Sequence, residues 1–130
     1  MVRYTSIRTV ISLASIFGWN LHQNDVKTTF LNGNVEQEVY VEQPEGFILH
    51  SEDLHICRLR KALYGLKQAP RVWCETMDNF LKDLGFQSSD VDSNLYLRMI
   101  KNQPLFVVLY VDLFLTGEDH LIEWCKKELT

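Results

Sequence analysis

The chain has 130 residues, 46% hydrophobic and 23% charged, which is apolar material for one globular core and too little for two domains. No apolar run approaches the roughly 18 to 20 residues of a membrane span, and Met1-Val2-Arg3-Tyr4-Thr5 lacks a secretory apolar run, so an intracellular, cytoplasmic protein without membrane contact is expected. Net charge is −4, which argues against a general nucleic-acid binder, yet residues 58 to 71 carry Arg58, Arg60, Lys61, Lys67 and Arg71 with no acid; that window is +5 and leaves −9 for the rest.

Along the chain, Ile7, Val10, Ile11, Ala14 and Phe17 recur at helical spacing after a Ser or Thr cap, with Gly18 as a stop, which predicts an amphipathic helix over 6–17. Residues 21–26 (LHQNDV) read as a strand leading to a turn at Asn32-Gly33, which sets Asp25 late on that strand or just past it. Residues 38–43 (EVYVEQ) alternate as a half-exposed strand does, and Pro44-Glu45-Gly46 breaks them. Glu36, Glu38, Glu42, Glu45, Glu52 and Asp53 stand unopposed between Lys27 and Arg58 and should face away from any phosphates. The basic strip that follows fits a phosphate backbone or an ordinary solvated surface equally well.

Pro70 suits the first turn of a second helix, with Trp73, Met77, Phe80, Leu81 and Leu84 on one face and Gly85 past its end. Residues 94–100 and 104–116 predict two antiparallel strands around Lys101-Asn102-Gln103, and Asp112, the one charge in the second run, stands where a hairpin could reverse. A last amphipathic segment, 118–129, carries Leu121, Ile122, Cys125 and Leu129. The expected fold is α+β, an antiparallel sheet holding Asp25 and Asp112 with the three helices on one side. Cys57, Cys74 and Cys125 are odd in number and widely spaced, so reduced thiols are expected. His22, His50, His55 and His120 show no zinc spacing with them.

Acids at the ends of apolar strands are costly without a purpose. Two such aspartates on adjacent strands could hold divalent cations, which take carboxylate oxygens, or they could be unrelated turn residues. Six segments bear on that choice: TSIR (5–8), HQNDVKTTFLNG (22–33), VYVEQPEGF (39–47), CRLRKALYGLKQAPRVW (57–73), LGFQSSDVDSNLY (84–96) and LYVDLFLTG (109–117). In this order they closely resemble copia-type retrotransposon reverse transcriptases over nearly the whole chain.

That resemblance implies the palm sheet of a right-hand polymerase, packed by helices, and RNA-directed DNA synthesis. In the intact family this is nucleotidyl transfer from a dNTP to a primer 3′-OH with Mg²⁺, on an RNA/DNA template-primer, in a virus-like particle. By position, Asp25 and the Val26 carbonyl match metal ligands, and Asp112 matches the first aspartate of the Tyr-Val-Asp-Asp hairpin. Phe30 matches the ring beneath the incoming sugar, although a Phe in an apolar row is also ordinary core. Gly65 matches a glycine that lets backbone approach nucleotide and template, with Lys67 and Gln68 nearby.

The chain departs from the family at Tyr110-Val111-Asp112-Leu113, where one aspartate is missing outright. A one-residue deletion must either tighten the turn or move the next strand's side chains to the wrong face. Asp119 lies beyond the strand and does not match the lost position. Residues 1–130 are therefore expected to be a partial reverse transcriptase domain, fingers/palm core with incomplete fingers and no thumb, and inactive. The alternative is a non-catalytic remnant that binds nucleic acid or protein, with Arg58, Arg60, Lys61, Lys67 and Arg71 on phosphates.

Overall fold

A computed structural model describes residues 2–48 and 55–129. His50, Glu52 and Asp53 lie outside the described residues. The fold is mixed α/β around an antiparallel sheet, in two compact units: Met1–Lys27 with Met77–Thr130, and Thr28–Thr76.

The first unit begins with α1 (Tyr4–Phe17), two residues earlier than the spacing predicts. No side chain caps it locally; Arg3 is the N-cap, and the carboxylate of Asp92 accepts the Arg3 N–H at 2.8 Å instead. Gly18 ends the helix as expected, and the Trp19 N–H reaches back to the Ala14 carbonyl. The inward face carries Ser6, Val10 and Ala14. Ile11 and Phe17, expected inside, are exposed, and Phe17 stacks on Trp19 at 4.8 Å between ring centroids.

Five strands make the sheet of this unit: β1 (Asn20–Asn24), β4 (Gln87–Ser88), β5 (Leu95–Ile100), β6 (Gln103–Leu109) and β7 (Leu113–Gly117), in the order β1-β7-β6-β5-β4. All neighbours are antiparallel. The central strand β6 buries Leu105, Val107, Val108 and Leu109, as a strand covered on both faces should. Strand alternation puts Leu105, Val107, Leu109, Leu113, Leu115 and Tyr96 on one face, and Phe106, Val108, Phe114, Thr116 and Leu21 on the other.

The helices do not share one side. α3 (Asp119–Leu129) and the C-terminal part of α2 (Ala69–Asp83) cover the first face, where Trp124 packs on Arg98, Lys126 Nζ lies 3.1 Å from His22 Nδ1, and the Tyr96 hydroxyl donates to Asp78 at 2.8 Å. α1 covers the opposite face, where Ile7, Val10 and Ile11 share a cleft of about 360 Å³ with Leu21, Val108 and Phe114. The expectation of a one-sided arrangement fails because β6 is apolar at successive positions, not alternating ones, so both faces have to be buried.

In the second unit, β2 (Tyr40–Glu42) pairs with β3 (Ile56–Arg58), and Thr29–Asn32 forms a 3₁₀ turn where the sequence suggested the approach to a simple reversal. Ala62, Ala69 and Trp73 are its buried apolar residues. Pro70 is the second residue of α2, where its missing N–H removes no helical bond. No helix among the described residues is long and apolar enough to cross a membrane. The three cysteines are free; Cys125 is buried and Cys57 and Cys74 are half-buried.

Candidate functional site

The site is built where β1 and β7 end together. Their register runs from Asn20↔Gly117 to Asn24↔Leu113, so Asp25 and Asp112 each stand one residue beyond the last paired residues. Asp25 follows the strand and is exposed, and Val26 beside it is half-buried. Asp112, half-buried, closes a reversal of three residues, Tyr110-Val111-Asp112, between the paired Leu109 and Leu113. The Tyr110 N–H donates to the Asp112 carbonyl at 2.9 Å and locks the turn.

Beyond this three-residue turn Leu113 and Leu115 are fully buried on the same face as Leu109 and Val107. Tyr110 and Val111 are left exposed at the tip.

Gln23 joins the site although the sequence reading did not single it out. Its Nε2 donates to Asp112 Oδ2 at 2.6 Å, a charge-assisted bond across the β1–β7 pair that fixes the carboxylate. The available signal was period two: Gln23 precedes Asp25 by two and shares its face. Asp119 sits at the other end of the sheet, where Asn20 Nδ2 donates to it at 3.1 Å, so it is no neighbour of Asp112.

The remaining predicted residues belong to the second unit. Phe30 is half-buried within the 3₁₀ turn and meets Tyr64 edge-on at 4.8 Å. Gly65 is the third residue of a turn closed by Leu66 N–H to the Leu63 carbonyl, with φ +92°. A Cβ there would meet nothing within 4 Å, so among the described atoms its requirement is the left-handed backbone and not space. Lys67 is exposed, and the half-buried Gln68 leads into α2, its carbonyl accepting the Val72 N–H.

Of the basic strip, Arg58 pairs with Glu38 at 3.6 Å and Arg71 with Glu75 at 2.9 Å. Arg60, Lys61 and Lys67 are exposed and have no carboxylate within 4.0 Å among the described residues. The donor chemistry of Asp25 and Asp112 suits a hard cation, but no group of three or more His, Cys, Asp or Glu gathers anywhere among the described residues.

A family model described as reverse transcriptase (RNA-dependent DNA polymerase) matches residues 1–130. The chain is 43% identical, over its whole length, to 10% of the retrovirus-related Pol polyprotein from transposon TNT 1-94 of Nicotiana tabacum. It is 40% identical, over 92% of its length, to 8% of the retrovirus-related Pol polyprotein from transposon RE1 of Arabidopsis thaliana. Against the putative transposon Ty5-1 protein of Saccharomyces cerevisiae, identity is 36% over 82% of this chain and 35% of that protein. No solved structure matches. The chain thus spans about a tenth of the plant polyproteins, and it belongs to the reverse transcriptase (RNA-dependent DNA polymerase) family, in the copia-type retrotransposon group that its sequence segments resemble.

Proposed function

We propose that this chain carries the metal-binding end of a reverse transcriptase palm and is catalytically silent as it stands. The reading is supported by the β1–β7 pair, whose register ends at Asn24↔Leu113 with Asp25 and Asp112 as the next residues of the two chains. In this reading Asp25, the Val26 carbonyl and Asp112 hold Mg²⁺ inside the cell, beside dNTP and RNA/DNA template-primer. Bound there, the ions would activate a primer 3′-OH and stabilise the leaving pyrophosphate. Phe30 would lie under the sugar, and Gly65, Lys67 and Gln68 would border nucleotide and template.

Silence follows from charge. Two carboxylates replace the family's three, and one of the two already accepts the Gln23 carboxamide. Pair electrostatics at metal sites are worth several kcal/mol each, so losing one acid is enough to end turnover. The test is Mg²⁺-dependent incorporation of deoxynucleotide on a primed RNA template, comparing this chain with one carrying an extra Asp after Asp112. Activity only after insertion supports the reading. Activity of the unaltered chain that Asp112→Ala abolishes would overturn the silence, and no activity in either would move the defect away from the hairpin.

A second reading, a non-catalytic nucleic-acid-binding remnant, is favoured by Arg60, Lys61 and Lys67 standing exposed beside Arg58 and Arg71. Its mark is binding of a primed template that weakens steeply with salt and is indifferent to Asp25→Ala.

A further inference from the structure

At the end of the sheet remote from Asp25 and Asp112, the β5–β6 hairpin and α3 border a cleft of about 300 Å³ lined by Arg98, Ile100, Lys101, His120, Leu121 and Trp124. That volume is at the low end of small-molecule sites, which run from roughly 300 to 1,000 Å³. The lining combines two cationic side chains and an imidazole with an indole and two aliphatic side chains, and includes no carboxylate.

In a chain of net charge −4 this separation has to be built, and the structure shows how. The acids nearest in sequence, Glu118 and Asp119, are engaged toward β1: Glu118 accepts Trp19 Nε1 at 3.3 Å and Asp119 accepts Asn20 Nδ2 at 3.1 Å. Glu123 pairs with Lys126 at 3.5 Å. Arg98 is pre-set, since Nη1 donates to the Leu84 carbonyl and the guanidinium lies 4.8 Å above the Trp124 ring. A guanidinium carries five N–H donors, of which the Leu84 carbonyl takes one. His120 and Trp124 stand one turn apart on α3, and Lys101 sits in the hairpin turn with φ +50°.

We propose that this cleft binds a phosphoryl group, with Arg98 and Lys101 on its oxygens, His120 hydrogen-bonded to it, and the attached organic part resting on Trp124 and Ile100. The site is separate from the metal-binding end and stands whether or not that reading holds. Two sources share the chemistry, a free mononucleotide and the backbone of a nucleic-acid strand.

The experiment is an NMR titration of the full chain that follows the His120 ring and Trp124 indole resonances, with inorganic phosphate, dAMP and a single-stranded oligodeoxynucleotide as separate probes. Saturable shifts with phosphate are expected, weakened roughly tenfold or more by Lys101→Glu, the scale of one charge-assisted contact. Lys101 is exposed in a turn, so that variant keeps the fold, and His120→Ala provides a second, independent loss. Tighter binding of dAMP assigns the free nucleotide as source, and tighter, salt-sensitive binding of the strand assigns the backbone. Shifts that never saturate, or equal affinity in wild type and Lys101→Glu, overturn the proposal.

Discussion

Asp92 does at long range what a capping residue does locally. Buried between β4 and β5, its carboxylate accepts the N–H of Arg3 at 2.8 Å and of Asn94 at 3.1 Å, and Ser6 adds a side-chain bond. Burial alone would push this carboxyl up, but the bonds from Ser6, Arg3 and Asn94 and the Arg3 charge hold it below the ordinary value of 3.8. A depressed native value means that the stabilisation is complete above the unfolded value and is lost as pH falls through the folded one. Asp92→Ala should cost about 1 to 3 kcal/mol at pH 7, the range for a lost cap and an orphaned buried donor. Urea unfolding should also show the variant's stability to be flatter than wild type below pH 4, and identical slopes there would refute the role. The cysteines offer a second reading at this scale. Burial pushes the Cys125 thiol up to about 11 and raises that of Cys74. Iodoacetamide at pH 8, followed by mass spectrometry, should label Cys57 first and leave Cys125 intact until the chain unfolds.

Elements show where local pattern decides structure and where it cannot. α2 and α3 were legible because their apolar residues repeat at helical spacing and really are the buried ones, Trp73, Met77 and Leu81 in one and Leu121, Ile122 and Cys125 in the other. In α1 the tally of apolar residues misled, since Ser6 is buried and Ile11 is not; which stripe faces inward depends on the sheet it meets. β3 and β4, three and two residues long, fall below any periodic signal. Hairpin β5–β6 was visible, but its turn is tighter than the three residues suggested: Lys101 and Asn102, φ +50° and +61°, make a two-residue reversal of the kind that matches strand twist. Gly117, which closes β7, was missed as a constraint. A Cβ there would lie 2.8 Å from the Pro104 carbonyl oxygen, and φ is +156°. Gly117→Ala should therefore cost about 2 to 4 kcal/mol through overpacking against rigid backbone, seen as a lower urea midpoint, and a loss under 0.5 kcal/mol would show that the strand simply shifts.

For the molecule as a whole, the sequence offered the aspartates as a pair on adjacent strands or as unrelated turn residues, and local pattern could not choose. The β1–β7 pairing, which ends just short of Asp25 and Asp112, joins segments from opposite ends of the chain and is encoded by no local pattern. The missing aspartate was legible only through resemblance. Restoring it poses a physical choice. If the extra Asp enlarges the loop to four residues, Leu109↔Leu113 persists, the loop-closure cost is a few tenths of a kcal/mol, and total stability should change by less than about 1 kcal/mol. If the three-residue turn is kept, the whole of β7 slips by one and moves Leu113 and Leu115, both fully buried, to the other face. That slip would force Leu113 and Leu115 into the places of Phe114 and Thr116 and the inserted acid into the fully buried place of Leu113, and misfits of this kind cost typically about 1 to 3 kcal/mol each. The larger loop should win. Cross-strand NOEs between Leu109 and Leu113 in the insertion variant, together with an unfolding midpoint close to that of the unaltered chain, would establish it, and the second acid would then join Asp112 at the tip across from Asp25. A slipped register with the predicted loss of stability would instead mean that the tight hairpin is imposed by its flanking strands, and that one inserted residue cannot rebuild the family's turn.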